Sequence, residues 1–507
     1  MKDIAPALFL ILSFLSTFLL LVAVKSRRRS TPLPSPSPGP PGPIKLPPGP
    51  SGWPLIGNLF HIIGKAPHRS LADLSRVYGP IMNLTLGSLT TVVISSPEAA
   101  REVLRTLDHE FSARTFSETV RAIGHQDVSI PWLPSTSSHW STWRKLLATQ
   151  LFSRKCIKFT NSLRYDKVKE LITFIDKRSE RGEAVEIARA CFITSLNVLS
   201  NLVFSTDLGR YDPRSSASLQ FQDSLFSIME IMGKPNIANY FPSLEFLDLQ
   251  GNKQKMKVCS ERLFRALQGL INDRIVEISL PGPRDGFSID LLDSLIDLVR
   301  EERSEVNMND IKHFLYDLFI AGTETNSTTV EWALTELLRN PEAMANAKFE
   351  INFIVGPNQT LRLHPPSPFL IPRKAESDTN FLGFLVPENA QILVNAWAIG
   401  RDPTVWENAE RFEPERFLGR ELETIGGDFE MIPFGAGRRM CPGISLALRI
   451  VPHMLASLIY SFEWNLEDEK HYVAPQDLDM DETFGITLHK TNPLYSDFVK
   501  KVHDYYF

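Results

Sequence analysis

The stretch Phe434-Gly435-Ala436-Gly437-Arg438-Arg439-Met440-Cys441-Pro442-Gly443 decides how this chain is read. It sets one cysteine in a turn with glycine on both sides and an arginine two residues earlier, and the apolar run Ile444-Ser445-Leu446-Ala447-Leu448 follows at once. Gly437 and Gly443 carry no Cβ, so the backbone of such a loop can approach a flat partner closely. A helix start and nearby cations favour the charged form of the sulfur. A single thiolate offered to a large planar cofactor is what axial ligation of haem by cysteine requires. Competing readings fit these residues less well. A dinucleotide loop needs glycine where Met440 stands. A zinc site needs a second Cys or His, and none lies within ten residues of Cys441. A buried structural cysteine is the bland alternative for any lone thiol.

The decapeptide matches Phe-x-x-Gly-x-Arg-x-Cys-x-Gly and resembles the haem-binding signature of the cytochrome P-450 family of haem-thiolate monooxygenases. The resemblance implies a mainly α fold, a large helical domain with a small β-rich side. It makes Cys441 the axial ligand of the haem iron, with Phe434, Gly437, Arg439 and Gly443 in the loop that binds the cofactor.

A second stretch predicts a helix from about Asn309 to Arg339, capped by Asn309 or Asp310 and ended by Asn340-Pro341. At 1.5 Å per residue it is about 45 Å long, enough to cross a domain. Its centre, Ala321-Gly322-Thr323-Glu324-Thr325-Asn326, holds poor helix formers inside an otherwise good helix. Thr325 can bond the backbone one turn back or meet a ligand if the helix opens locally. An acid beside a threonine is a possible proton relay, and a threonine-rich packing face is the plain alternative. The segment is similar to the family's oxygen-activation motif, which implies catalytic roles for Ala321, Gly322, Glu324 and Thr325; Asn326 departs from the usual Thr or Ser.

Trp140 and Arg144 lie four apart in a helical pattern, so both face one side. An indole N–H beside a guanidinium suits a carboxylate, and a surface Trp–Arg stack is the alternative. The family's Trp-x-x-x-Arg helix implies a haem propionate as the partner. Arg373, after Phe369-Leu370-Ile371-Pro372, resembles the strand that contacts haem and substrate, and Arg439 is another candidate for a propionate. Thr483-Phe484-Gly485-Ile486-Thr487 resembles the C-terminal hairpin tip that enters the pocket.

One motif departs from the family. Its Glu-x-x-Arg pair, which locks onto the arginine of Phe412-Glu413-Pro414-Glu415-Arg416-Phe417, reads Gln359-x-x-Arg362 here. The segment normally found before Arg-Leu-His-Pro-Pro is missing, and Pro357 leaves little room for a helix before Arg362. If both arginines are buried, loss of the carboxylate leaves uncompensated charge, at about 3–5 kcal/mol when one partner of a pair is removed. A deletion, a skipped exon or a faulty gene model gives this pattern.

The bulk properties agree with a large enzyme. The chain has 507 residues, 43% of them hydrophobic, which suffices for one large core or two domains. A net charge of −5 gives no electrostatic case for nucleic acid. The four cysteines show no framework spacing and suit a reducing compartment. Ile4 to Val24 is an apolar run of about twenty residues, long enough to span a bilayer. Lys25, Arg27, Arg28 and Arg29 follow it, which keeps the bulk of the chain in the cytosol and is the wrong polarity for a cleaved signal. Three regions are expected: a membrane anchor over 1–25, a basic and proline-rich linker or hinge over 26–52, and a haem-thiolate monooxygenase domain over 53–507.

Within the family, Ala398-Ile399-Gly400-Arg401-Asp402-Pro403 and Val405-Trp406-Glu407-Asn408 look most like plant microsomal members of the geraniol-hydroxylase-like group. The resemblance implies hydroxylation of a small lipophilic, terpenoid-type substrate with O2 at the endoplasmic reticulum membrane. Without a Rossmann or flavin motif, electrons are expected from a separate NADPH-dependent flavoprotein reductase. The missing glutamate motivates a second reading, a catalytically impaired or haem-free membrane-tethered remnant. A haem carrier or sensor is a third.

Overall fold

The computed structural model describes residues 45–62, 66–211, 216–280, 290–301, 305–349, 357–418, 427, 429–464, 474–495 and 499–501. The apolar run from Ile4 to Val24 lies outside them, as does Pro281-Gly282-Pro283, where the sequence pattern breaks the helical period. The rest is arranged around one helix, Met308–Arg339, which is buried along most of its length. Its cap is Asn307, earlier than predicted. The Asn307 side chain accepts from the Asn309 and Asp310 N–H groups, and Asp310 accepts from the Asn307 N–H. Asn307 caps because it is the last residue with extended backbone; Asn309 and Asp310 are already inside the first turn. The helix ends at Asn340, before Pro341, as expected.

Helices Ile187–Phe204 and Ile444–Ser461 pack against this axis. Each is long and apolar enough to cross a membrane by composition, yet much of each is buried in the core, which explains the same composition. A Cβ on Gly322 would lie 2.6 Å from Leu199 Cδ1, so the glycine lets the first of them cross the axis closely. Between 160 and 300, where the sequence period is mostly helical, lie the helices Asn161–Ser179, Ile187–Phe204, Ser216–Gly233, Asn252–Ser279 and Leu291–Arg300.

A small β side flanks the helices. In the sequence, Gly87-Ser88 between two apolar runs reads as a hairpin turn, and the hairpin forms from Ile81–Leu86 and Leu89–Ile94, with Ile81 opposite Ile94 and Gly87 at φ +62° in the turn. Leu89–Ile94 pairs in parallel with Gln391–Val394, which continues through Arg373–Lys374 to Ala113–Arg114. This order matters because it carries Arg373 and Arg114 side by side on neighbouring strands. The chain before the hairpin is tied to it: the Asn83 N–H donates to the Pro48 carbonyl, and the Leu385 N–H to that of Lys45. Ser96-Pro97-Glu98 reads as a helix start, a serine cap with proline in the first turn, and Ser96 caps the next helix with Pro97 in its first turn.

The segment Asn239-Tyr240-Phe241-Pro242, whose apolar residues fit either a lid or core packing, packs on the hairpin turn. The Tyr240 carbonyl accepts from the backbone N–H and the hydroxyl of Ser88. The C-terminal hairpin pairs Glu482–Phe484 with Leu488–Lys490. Replacing Asn307 with Ala removes the cap of the central helix and is expected to cost about 1 kcal/mol. The check is a lowered thermal unfolding midpoint followed by far-UV circular dichroism, with unchanged helix content below the transition.

Candidate active site

The cysteine loop closes on itself before it meets anything else. The Cys441 N–H donates to the Phe434 carbonyl at 3.0 Å, and Gly435 and Gly437 both adopt φ near +67°. A Cβ on Gly437 would overlap the Leu104 carbonyl oxygen, so the close approach this glycine allows is to the chain's own backbone. Gly443 has ordinary backbone angles, and a Cβ there would sit 3.9 Å from Cys441 Sγ. Its value is the space it leaves beside the sulfur.

Cys441 is half-buried by surface area although its sulfur lies deep, and burial pushes the thiol up from its usual value. The Gly443 and Ile444 N–H groups and the Arg144 charge pull the other way. The expectation that helix start and cations would leave a thiolate is thus only half met. They act in the predicted direction, and desolvation outweighs them. A metal ion coordinated here would supply the missing charge, because it deprotonates its thiol outright.

Arginines converge around this loop. Arg439 donates to the carbonyls of Ser112 (3.1 Å), Ile130 (3.2 Å) and Leu133 (2.5 Å). Arg373 reaches the carbonyls of Phe111 and Ala436 at 3.4 and 3.3 Å. Arg114, which the sequence reading missed, donates to the carbonyls of Pro131 and Ile371. Arg144 donates to the Met440 carbonyl at 2.8 Å. The indole of Trp140 lies between two of them, with the Arg144 guanidinium 5.6 Å and that of Arg439 5.3 Å from the ring centre. Burial and mutual repulsion push Arg373 and Arg439 down to about 10, and hold Arg114 well below its ordinary value. Among the described residues none of the four makes a direct ion pair with a carboxylate.

Asp317 organises the loop that meets Arg439. It accepts from the Ser129 hydroxyl (2.7 and 2.8 Å), the Ile130 N–H (2.9 Å) and His125 Nε2 (2.8 Å). His125 Nδ1 lies 2.7 Å from His313 Nδ1. Burial pushes His313 down to about 3, so it is neutral, and one proton lies between the two Nδ1 atoms. Asp317 was not singled out from sequence. Its signal was an acid inside Phe314-Leu315-Tyr316-Asp317-Leu318-Phe319-Ile320.

On the central helix, Ala321 is exposed and Gly322 half-exposed although the neighbouring turns are buried, so the helix borders a hollow there. The Thr325 hydroxyl donates to the Ala321 carbonyl at 2.7 Å, the first of the two options its position allowed. Asn326 donates to the Gly322 carbonyl at 2.9 Å. Burial pushes the Glu324 carboxyl up to about 7.

The family model for cytochrome P-450 matches residues 47–494. The chain belongs to the cytochrome P-450 family. It is 52% identical to cytochrome P-450 76C2 of Arabidopsis thaliana over 98% of both chains. It is 46% identical to geraniol 8-hydroxylase of Catharanthus roseus and 44% to that of Swertia mussotii, each over 89% of this chain and 93% or 92% of the relative. The comparison with the Arabidopsis protein runs over 516 positions, more than the 507 residues here, so that relative carries residues this chain lacks. Like the rest of the family, this cytochrome P-450 is a monooxygenase.

Members of the family bind haem, and the residues here fit it. A haem carries two carboxylates, and the site offers four guanidiniums without one beside a lone cysteine.

The Gln359 departure is resolved differently from expectation. Pro357–Leu363 is helical, because proline at the first position needs no N–H partner and its φ is preset. Arg362 is buried, and Gln359 Oε1 accepts from its Nε at 3.0 Å. The carbonyls of Gly400, Ala409 and Arg411 accept the rest at 2.6, 2.6 and 3.0 Å, and Gln359 Nε2 donates to Arg411 O at 2.7 Å. The guanidinium also lies 5.1 Å from the centre of the Trp406 ring. Arg416 pairs instead with Glu413, at 2.6 Å. Hydrogen bonding is therefore satisfied around Arg362 while charge is not: burial and Arg416 push it down to about 9. Gln359→Leu, which removes an acceptor from a buried cation, is expected to cost about 1.5–3 kcal/mol, and Gln359→Glu to raise stability by restoring the counter-charge. Unfolding midpoints of the two variants, expected on opposite sides of the parent, are the check.

Proposed function

We propose that this cytochrome P-450 hydroxylates a small lipophilic terpenoid, with haem on Cys441 and electrons from a membrane-bound, NADPH-dependent flavoprotein reductase. The observation that carries the haem assignment is the set of four guanidiniums without carboxylates around a cysteine loop, Arg114 and Arg373 buried and Arg144 and Arg439 half-buried. The terpenoid class rests on the two geraniol 8-hydroxylases among the relatives. The apolar run from Ile4 to Val24, followed by basic residues, supports anchorage in the endoplasmic reticulum membrane with the catalytic domain facing the cytosol.

Haem bound here supplies O2 activation and one-electron chemistry, with thiolate ligation favouring O–O cleavage. The remaining work belongs to side chains. Arg114, Arg144, Arg373, Arg439 and Trp140 would hold the carboxylates of a bound haem. The Gly443 and Ile444 N–H groups donate to the sulfur and temper its electron donation. Ala321 and Gly322 are small and leave the hollow beside the central helix open. Glu324 keeps its proton up to about pH 7, which suits a general acid near neutrality. Thr325 passes a proton toward the hollow if its bond to the Ala321 carbonyl opens. One oxygen atom enters the substrate C–H bond and the other leaves as water, with NADPH as the reductant.

Gln359 and the residues lacking relative to the Arabidopsis protein favour a second reading, an impaired or haem-poor descendant. The reduced, carbon-monoxide-bound spectrum of the full chain separates the two. A red-shifted Soret band that disappears in Cys441→Ser supports thiolate-bound haem. Its absence from the parent supports the impaired reading. With the band present, geraniol, NADPH and reductase are expected to give a hydroxylated product, and Glu324→Gln to divert most NADPH consumption to peroxide.

A further inference from the structure

Glu324, Thr328 and Trp332 stand four residues apart on one face of the central helix, and that face meets the C-terminal hairpin. The Thr328 hydroxyl and the Trp332 indole N–H both donate to the Leu488 carbonyl at 3.3 Å. The Leu488 N–H in turn donates to the Pro366 carbonyl at 2.8 Å. The hairpin is thereby pinned at Leu488, and the residue before it, Thr487, comes close enough for its hydroxyl to act on the Glu324 carboxyl. The turn is held from behind as well. A Cβ on Gly233 would lie 2.7 Å from Gly485 Cα, so helix Ser216–Gly233 ends directly against the tip.

Thr487 is 5% exposed. Its Oγ1 and Glu324 Oε2 are both buried, and neither has a hydrogen-bond partner among the described residues. Two such atoms facing one another across a helix–hairpin contact are an unmade bond, and leaving either without a partner is costly. We infer that Thr487 is a positioning residue for Glu324: its hydroxyl closes onto the carboxylate, fixes its rotamer and sets the pH at which it ionises. This rests on the proposed relay role of Glu324 only for its consequence in catalysis, and not for the contact itself.

The Thr487 hydroxyl acts on Glu324 against the effect of burial, and no charged group does. The charged and titratable groups on the surrounding elements are engaged elsewhere. His489 bonds the Thr487 carbonyl, Lys490 donates to the Asp479 carbonyl, and Glu482 is held by His68, His364 and Arg69. Glu331 accepts from the Leu494 N–H, Asp317 holds the 125–130 loop, Glu230 pairs with Lys234, Asp223 is exposed, and Cys191 is a buried neutral thiol. A hydroxyl donates more strongly to a carboxylate than it accepts from the neutral acid. Removing it therefore raises the pH of ionisation, by about one unit for a bond of ordinary strength to a charged group.

The test uses the full-length haem-loaded protein and the carboxyl C=O stretch in pH-dependent infrared difference spectra. Glu324→Gln identifies its own band, which also separates it from Glu331, the other carboxyl pushed up to about 7. In Thr487→Val, of nearly the same shape, that band is expected to titrate about one unit higher, while Thr487→Ser titrates as the parent does. Haem content and the carbon-monoxide spectrum confirm that both variants fold. A Val variant whose Glu324 band keeps the parent midpoint overturns the inference, and so does a Ser variant that shifts with Val. With geraniol as probe, the pH at which product per NADPH halves is expected to move up with the band. If Glu324→Gln leaves that yield unchanged while the band still shifts, the relay reading fails and the contact stands.

Discussion

Positive charge held inside the protein without a negative partner is the constraint on which this structure turns. Arg114, Arg373 and Arg439 arrive from two strands and a loop, and each satisfies its N–H groups on backbone carbonyls. Hydrogen bonds of that kind meet the geometric demand and leave the charge, so the cluster repels itself. An arrangement of this sort persists when a ligand completes it. The strand order 81–86, 89–94, 391–394, 373–374, 113–114 brings two of the arginines together, and the Asp317 network carries Ile130 to the third.

The same logic runs through Arg362 in a milder form. An amide in place of a carboxylate can accept one hydrogen bond and donate another, and Gln359 does both. What it cannot do is cancel charge. The Trp406 ring and three carbonyls share that load, while Arg416 turns to Glu413. The fold is thus closed locally around a departure that reads as a lesion in the bare sequence.

Much of the fold was legible because it depends on short-range rules. Gly87-Ser88 between alternating apolar strands specifies the hairpin, and Ser96-Pro97 specifies a helix start. Asn340-Pro341 stops the central helix. Its beginning was misplaced because Asn307, Asn309 and Asp310 are all good capping residues, and only backbone geometry chooses among them. Pro357 was read as a breaker where it serves as a first-turn residue. Arg114 was missed because nothing in Phe111-Ser112-Ala113-Arg114 distinguishes an arginine facing inward from one facing solvent.

The sequence by itself determined the cysteine loop, the central helix and the acid–threonine pair, since each is written within a few consecutive residues and fixed by local chemistry. Only the tertiary structure decided which arginines share a site, what accepts from Arg362, and that Thr487 faces Glu324. Those contacts join residues up to about three hundred positions apart, such as Arg439 with Leu133. No local rule reaches that far. Burial, and the charge and hydrogen-bonding demands that come with it, exists only once the helices and the sheet have closed on one another.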